Sequence, residues 1–176
     1  MMHTKKLAAL ALAVTSLAAF SLNANAAEAS TQFTFELKND PTYTVTIPAE
    51  VTLTKTGTEV SITAENVANL EDNQKISVTI AGTDAYRNQM VLSGKTDSGS
   101  NASVRYQFVK KDGTVIETTG EKDQVNGVEI ASFTDNGTET LTVLPVLNGS
   151  SSIKYDVIYT GSMTYGIELV TANSAE

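Results

Sequence analysis

The chain has 176 residues, no cysteine, no tryptophan and a single histidine, His3, and its acids outnumber its bases by twenty to twelve. That composition excludes a disulfide framework, a thiolate nucleophile and the usual nitrogen or sulfur zinc site. With so few lysines and arginines, and only the Lys110-Lys111 doublet in "VKKDG", nothing concentrates positive charge against phosphates, and no nucleic-acid partner is expected.

In chain order, the first element is a leader. Lys5 and Lys6 precede an apolar run from Leu7 to Phe20, and Ala24-Asn25-Ala26 follows, the three-part pattern of a secretory signal cleaved after Ala26. The apolar run is shorter than the roughly 20 residues that span a bilayer. The expectation is therefore a signal peptide over 1–26 and one soluble domain over 27–176, secreted or cell-surface associated, with no membrane insertion after cleavage. Cleavage removes His3, Lys5 and Lys6, so ten bases remain against twenty acids and no Ser-His-Asp arrangement is left.

The mature chain reads as strands. "QFTFELK" puts Phe33, Phe35 and Leu37 on one face; "TYTVTI" does the same with Tyr43, Val45 and Ile47 after an Asn39-Asp40-Pro41 turn. "EVSIT", with Val60 and Ile62, continues the period of two, and "AENVANLEDNQ" supplies at most one helical turn. "KISVTIAG" (Ile76, Val78, Ile80) and "SVRYQF" (Val104, Tyr106, Phe108) follow, separated by the polar stretch "SGKTDSGSNAS", Ser93 to Ser103, read as a loop. Threonine fills many alternate positions, as β-branched residues do on a half-exposed pleat. Asp112-Gly113, Asn126-Gly127, Asn136-Gly137 and Asn148-Gly149 supply the positive φ angles of tight turns, ten to fourteen residues apart. The last stretch, "YDVIYTGSMTYGIELV", keeps one phase over sixteen residues, from Tyr155 through Val157, Tyr159, Met163, Tyr165 and Ile167 to Leu169. At about 3.3 Å per residue it is too long for one strand, so it is expected to break at Gly161 into strands near 153–160 and 162–170, odd-numbered side chains inward. The fold class expected is all-β: a single antiparallel immunoglobulin-like β-sandwich.

On such a scaffold specificity belongs in loops. The candidate binding residues are Tyr86 and Arg87 in "GTDAYRN", Asp97 and Asn101 in the polar loop, and Tyr165 near the C-terminus. Asp97, Gly99 and Asn101 alternate as in a calcium loop, but its second acid and closing Glu are missing, and no metal or cofactor is expected. No Asp/Glu pair stands out for glycoside chemistry, acids such as Glu36 and Glu168 falling on outward positions, and no catalytic residue is assigned. Lys38 and Asn173 have the order of an internal isopeptide pair without its surrounding motif. The sequons at Asn101, Asn136 and Asn148 are accounted for by turn chemistry at the last two.

"YTVTIPAEVTL", "KISVTIAGTD", "ETLTVLP" and "YTGSMTYGIEL", in that order, resemble secreted Firmicutes surface β-sandwiches akin to the WxL family of cell-wall-associated proteins. Against that family's closing Y-x-x-x-L-T-W-x-L, the positions are taken by Tyr159, Met163, Thr164, Tyr165 and Ile167; Tyr165 stands in place of Trp, and the other W-x-L motif is missing. The resemblance implies a non-enzymatic surface or adhesion module, with a cell-wall polymer, other surface proteins or a host glycan or protein as partner. The chain is also similar to fimbrial pilins in length and in its last strand, which implies self-assembly by donation of the strand Ser30 to Lys38. A secreted carbohydrate-binding protein or hydrolase is the alternative from another class.

Overall fold

The structure, a computed structural model, describes residues 32, 34–120, 123–148 and 152–171. The expected leader, Phe33, Gly149 and Asn173 lie outside them. The described chain forms nine strands: β1 (Thr42–Thr46), β2 (Thr58–Ala68), β3 (Gln74–Thr83), β4 (Val91–Lys95), β5 (Asn101–Lys110), β6 (Val115–Ile116), β7 (Glu129–Phe133), β8 (Gly137–Val146) and β9 (Met163–Thr171). All pairings are antiparallel. One sheet runs β1-β2-β8-β5-β4, with β6 added to β5 beyond β4; the other runs β7-β3-β9. The protein is an all-β sandwich, as the alternation of apolar residues predicts.

The core lies between the sheets and comes from that alternation. Ile76, Val78 and Ile80 on β3 are 0% exposed and meet Val60 and Ile62 of β2, Tyr106 and Phe108 of β5, and Leu141 and Val143 of β8. Each fully buried Ile or Val contributes roughly 1.5–3 kcal/mol of transfer free energy. The intervening positions face solvent. There the cross-strand pairs Thr63–Thr138 (3.0 Å) and Ser61–Thr140 (3.4 Å) join β2 to β8 by their hydroxyls.

Several local expectations are corrected. Residues 34–38 belong to no strand, and Phe35 and Leu37 are 87% and 84% exposed, because no strand edge lies alongside to pair them. Ala64–Ala68 is not helical but completes β2, where Asn66, at φ 55°, accommodates a register shift against β1. The polar stretch Ser93–Ser103 is mostly paired: Ser93 faces Ser103 and Lys95 faces Asn101, leaving only a tight turn between them. Asn136-Gly137 is no hairpin, since β7 and β8 lie in different sheets and Gly137 opens β8 opposite Ala64. Asp112-Gly113 does turn β5 into β6, with Gly113 at φ 85° and Lys110 N–H bonded to the Thr114 carbonyl at 2.8 Å.

The C-terminal stretch breaks at Gly161, as expected, but only its second half is a strand. β9 pairs along β3 from Met163 to Thr171, and Met163, Tyr165 and Leu169 pack on the core. Ile167 is 37% exposed because β9 is the edge of its sheet. Between 152 and 160 the chain is a loop joined to β4 by an isolated bridge, Ser93 to Thr160, and Tyr155 points outward rather than in.

Candidate functional site

That loop and the β4–β5 hairpin enclose an open groove of about 920 Å³. Its floor is β4 and the start of β5, with hydroxyls from Ser93 and Ser103; its far wall is the loop, with Ser152, Ile158 and Thr160. Lys95 reaches it from β4 and Lys154 from the loop, and Asn101 borders it at the first position of β5.

The loop is fixed against the strand by several independent contacts. Ser93 and Thr160 exchange two backbone bonds of 2.9 Å, and Ser103 N–H donates to the Ser152 carbonyl at 3.1 Å. The Tyr159 hydroxyl accepts from Lys154 N–H at 2.6 Å and donates to the Lys154 carbonyl at 2.9 Å, closing residues 154–159 into a clasp. Gly94 makes the close approach possible, because a Cβ there would stand 2.5 Å from Val157 Cγ1 and 2.6 Å from the Ile158 carbonyl oxygen. The clasp turns two large side chains outward: Tyr155 and Ile158 are 88% and 85% exposed.

Asn101 is therefore the one candidate residue that borders the groove, and Asp97 sits in the adjoining turn, whose interior is filled by hydroxyls: Thr96 to Ser98 at 2.9 Å and Ser100 N–H to Thr96 at 3.0 Å. Tyr86 and Arg87 lie on a separate turn, Tyr86–Asn88, between β3 and β4. Tyr86 is 75% exposed, with the Arg87 guanidinium 5.1 Å from its ring centre. Arg87 and Asn88 both hold positive φ, 57° and 51°, and Asn88 Oδ1 accepts from Thr83 N–H at 3.2 Å. Tyr165 is elsewhere again, facing inward: burial pushes its phenol up, and burial, then Tyr165 and Asp84, push that of Tyr106 up as well.

Among the described residues, three carboxylates have shifted acidity, all downward. The backbone N–H groups of Thr114 and Gly120 lead in holding Asp112 and Asp123 below the usual carboxylate range. For Glu129, burial works the other way, but the Ser77 hydroxyl at 2.6 Å and Lys75 at 3.0 Å outweigh it. A glycosidase general acid needs the opposite shift, so these three groups serve turns and strand pairing. Lys38 Nζ lies 3.4 Å from Glu71 in an exposed ion pair.

Lys154, Ile158 and Thr160 were missed by sequence reasoning because 153–160 keeps the phase of the following strand, so that even-numbered positions read as its outward face; Lys95 lies in the polar stretch Ser93–Ser103, where only Asp97 and Asn101 were singled out. The signal that could have found the loop is Asp156, which breaks from extended geometry at φ 57° and belongs to a residue type that tolerates that conformation. Comparison with known proteins finds no matching family model, no matching curated protein and no matching solved structure.

Proposed function

We propose that the chain is a non-enzymatic extracellular or cell-surface-associated bacterial protein of immunoglobulin-like build, working in adhesion or surface structure. The observation that carries this reading is the clasped 152–160 loop, which presents Tyr155 and Ile158 to solvent beside a polar groove on a rigid sheet edge. Binding loops on stiff scaffolds have this character: fixed backbone, outward apolar anchors, polar surroundings. The leader pattern supports export, and the downward shifts of Asp112, Asp123 and Glu129 support a structural use of the perturbed acids. The partner is a cell-wall polymer, another surface protein or a host glycan or protein. Sedimentation of the processed chain with purified Gram-positive cell walls tests the reading: pelleting with walls and not alone is expected, and a Tyr155→Ser, Ile158→Ser double variant should pellet less while melting normally. A chain that stays in the supernatant with walls, with surface proteins and with host glycans would remove it.

A second reading, assembly by strand donation, is favoured by a different observation. Phe35 and Leu37 alternate with polar residues as a strand would, yet stand exposed outside both sheets, while among the described residues β9 pairs only with β3, along nine residues. An alternating free segment and an unpaired edge are complementary, since strand addition satisfies a row of backbone groups at once. One donor and one acceptor per copy make a head-to-tail contact that propagates into a fibre. Pelleting of the chain alone, abolished by Phe35→Lys with Leu37→Lys, is the expected signature; a concentration-independent monomer at high protein concentration would discard this reading.

A further inference from the structure

Residues 157–160 carry the marks of a strand that stops short. Their exposure alternates, with Val157 and Tyr159 half-buried and Ile158 and Thr160 exposed, in step with β4, where Gly94 is half-buried and Ser93 and Lys95 are exposed. Their register against β4 is set as well. Ser93 and Thr160 exchange two backbone bonds of 2.9 Å, and on the C-terminal side Gly161 lies against Leu92, where a Cβ would stand 2.8 Å from Leu92 Cδ2. Backbone groups alternate sides along a strand, so the N–H and carbonyl of Lys95 point to the same outer edge as those of Ser93. Carried further, the same antiparallel register puts Tyr159 opposite Gly94 and Ile158 opposite Lys95. The pairing nevertheless ends at Thr160, in an isolated bridge. Asp156, at φ 57°, turns the chain out of extended geometry, and the Tyr159 hydroxyl bonds both backbone groups of Lys154.

We propose that residues 157–160 are a switch between two pairings: the clasp, and an extension of the Ser93–Thr160 bridge in which Ile158 bonds Lys95 and Tyr159 lies over Gly94. Each state has its own support. The clasp has the two Tyr159 hydroxyl bonds and packs Val157 Cγ1 and the Ile158 carbonyl onto Gly94. The extension exchanges these for further ladder bonds and for an aromatic ring across from a glycine near the sheet edge, a pairing that offsets the weakness of glycine in a strand. Gly94, without a side chain, leaves the same place open to the loop backbone in one state and to the Tyr159 ring in the other. The switch decides what the loop presents. In the clasp Tyr155 stands 88% exposed, whereas straightening through Asp156 puts it on the face of Val157 and Tyr159, which is the inner one. A partner that grips the loop through an outward Tyr155 therefore selects the clasp, and its apparent affinity scales with the fraction clasped. That last step rests on the surface-module reading; the two pairings do not.

The test is amide exchange and proton NOE measurement on the full chain and on two variants that release different stops. Asp156→Val sets a β-branched residue where φ is positive, and Tyr159→Phe removes the hydroxyl but keeps the ring. In either variant the Lys95 and Ile158 amides should exchange about tenfold more slowly than in the parent. A contact between the Hα atoms of residues 94 and 159 should appear with it, since that pair is the closely spaced kind without direct bonds. Amides of β3 that exchange as in the parent show the fold intact. Lys95 and Ile158 amides no slower than in the parent in both variants would overturn the switch, and so would loss of protection at Ser93 and Thr160, which would mean that the loop simply detaches. Pelleting with cell walls is measured on the same three proteins. Extension with weaker pelleting is the result expected of gating; extension with pelleting like the parent's would overturn the gating. If the parent itself does not pellet with walls, the surface-module reading loses its support while the exchange result still decides the switch.

Discussion

β3 carries Ile76, Val78 and Ile80 into the interior, while the segment ahead of β1 carries Phe35 and Leu37 into solvent, although both alternate apolar and polar residues. The difference lies in neighbours. β3 is the central strand of its sheet, bonded on both edges by β7 and β9 and covered on one face by the other sheet. Residues 34–38 have no strand beside them, so the same alternation has nothing to fold against. Alternation states that a segment is able to lie on a half-buried sheet; the available edge decides whether it does.

The comparison breaks most visibly by truncation. Ile76→Ala removes a fully buried side chain from between the sheets and should cost about 2–5 kcal/mol in urea denaturation followed by tyrosine fluorescence. Leu37→Ala should change stability by less than about 0.5 kcal/mol in the monomer. Equal losses would mean that the leading segment is held in a core after all.

Next in size is Gly94→Ala. The added methyl meets the backbone of Ile158, which has no rotamer to turn away with, so either the loop lifts or β4 shifts, at about 1–3 kcal/mol. Amide exchange at Ser93 and Thr160 should accelerate with it. Gly99→Ala serves as the contrast: a Cβ there meets nothing within 4 Å, and only its φ of +81° resists, at about 1 kcal/mol. If Gly94→Ala left exchange at Ser93 unchanged, the loop would not be leaning on β4.

A smaller effect is expected from Tyr159→Phe. The hydroxyl holds both backbone groups of Lys154, and its loss should cost about 1 kcal/mol and raise exchange at the Lys154 amide without touching β3. An unchanged Lys154 amide would show that the clasp is held by the Ser93–Thr160 bridge instead.

The sheets were legible in the sequence because strand periodicity is written in side chains that a sandwich must bury: "TYTVT", "EVSIT", "KISVTIAG" and "SVRYQF" all lie in strands with their apolar faces inward or partly so. The groove was only half legible. Its floor comes from a stretch whose Gly, Ser and Asn content reads as loop, though cross-strand bonding makes most of it strand. Its wall comes from a stretch whose alternation reads as strand, though Asp156 and the Tyr159 clasp make it loop. In both cases backbone pairing outweighed the local pattern: β4 with β5 in the floor, and Ser93 with Thr160 at the wall.

The smallest effect concerns β3 and β7, whose pairing is strengthened outside the core by Glu129. Its carboxylate accepts from Ser77 at 2.6 Å and lies 2.9 Å from Lys75 Nζ, and those contacts hold it below the usual carboxylate range despite partial burial. A carboxyl with a lowered folded pKa contributes stability above its unfolded value and loses that contribution as the pH falls through the folded one. Acidification below the ordinary carboxylate range should therefore lower the melting temperature, and Glu129→Gln should flatten part of that acid limb while lowering the neutral-pH melting temperature by roughly 2 °C, the scale of a partly exposed ion pair. An acid limb of the same steepness in the variant would assign the loss to other carboxylates, with Asp112 and Asp123 next in line because backbone N–H groups hold both of them down. Either result bears on the same contrast: a strand with two neighbours accumulates side-chain contacts on its outer face as well as its inner one, and the leading segment, with no neighbouring strand, has exposed ion pairs of Lys38 and its exposed apolar side chains.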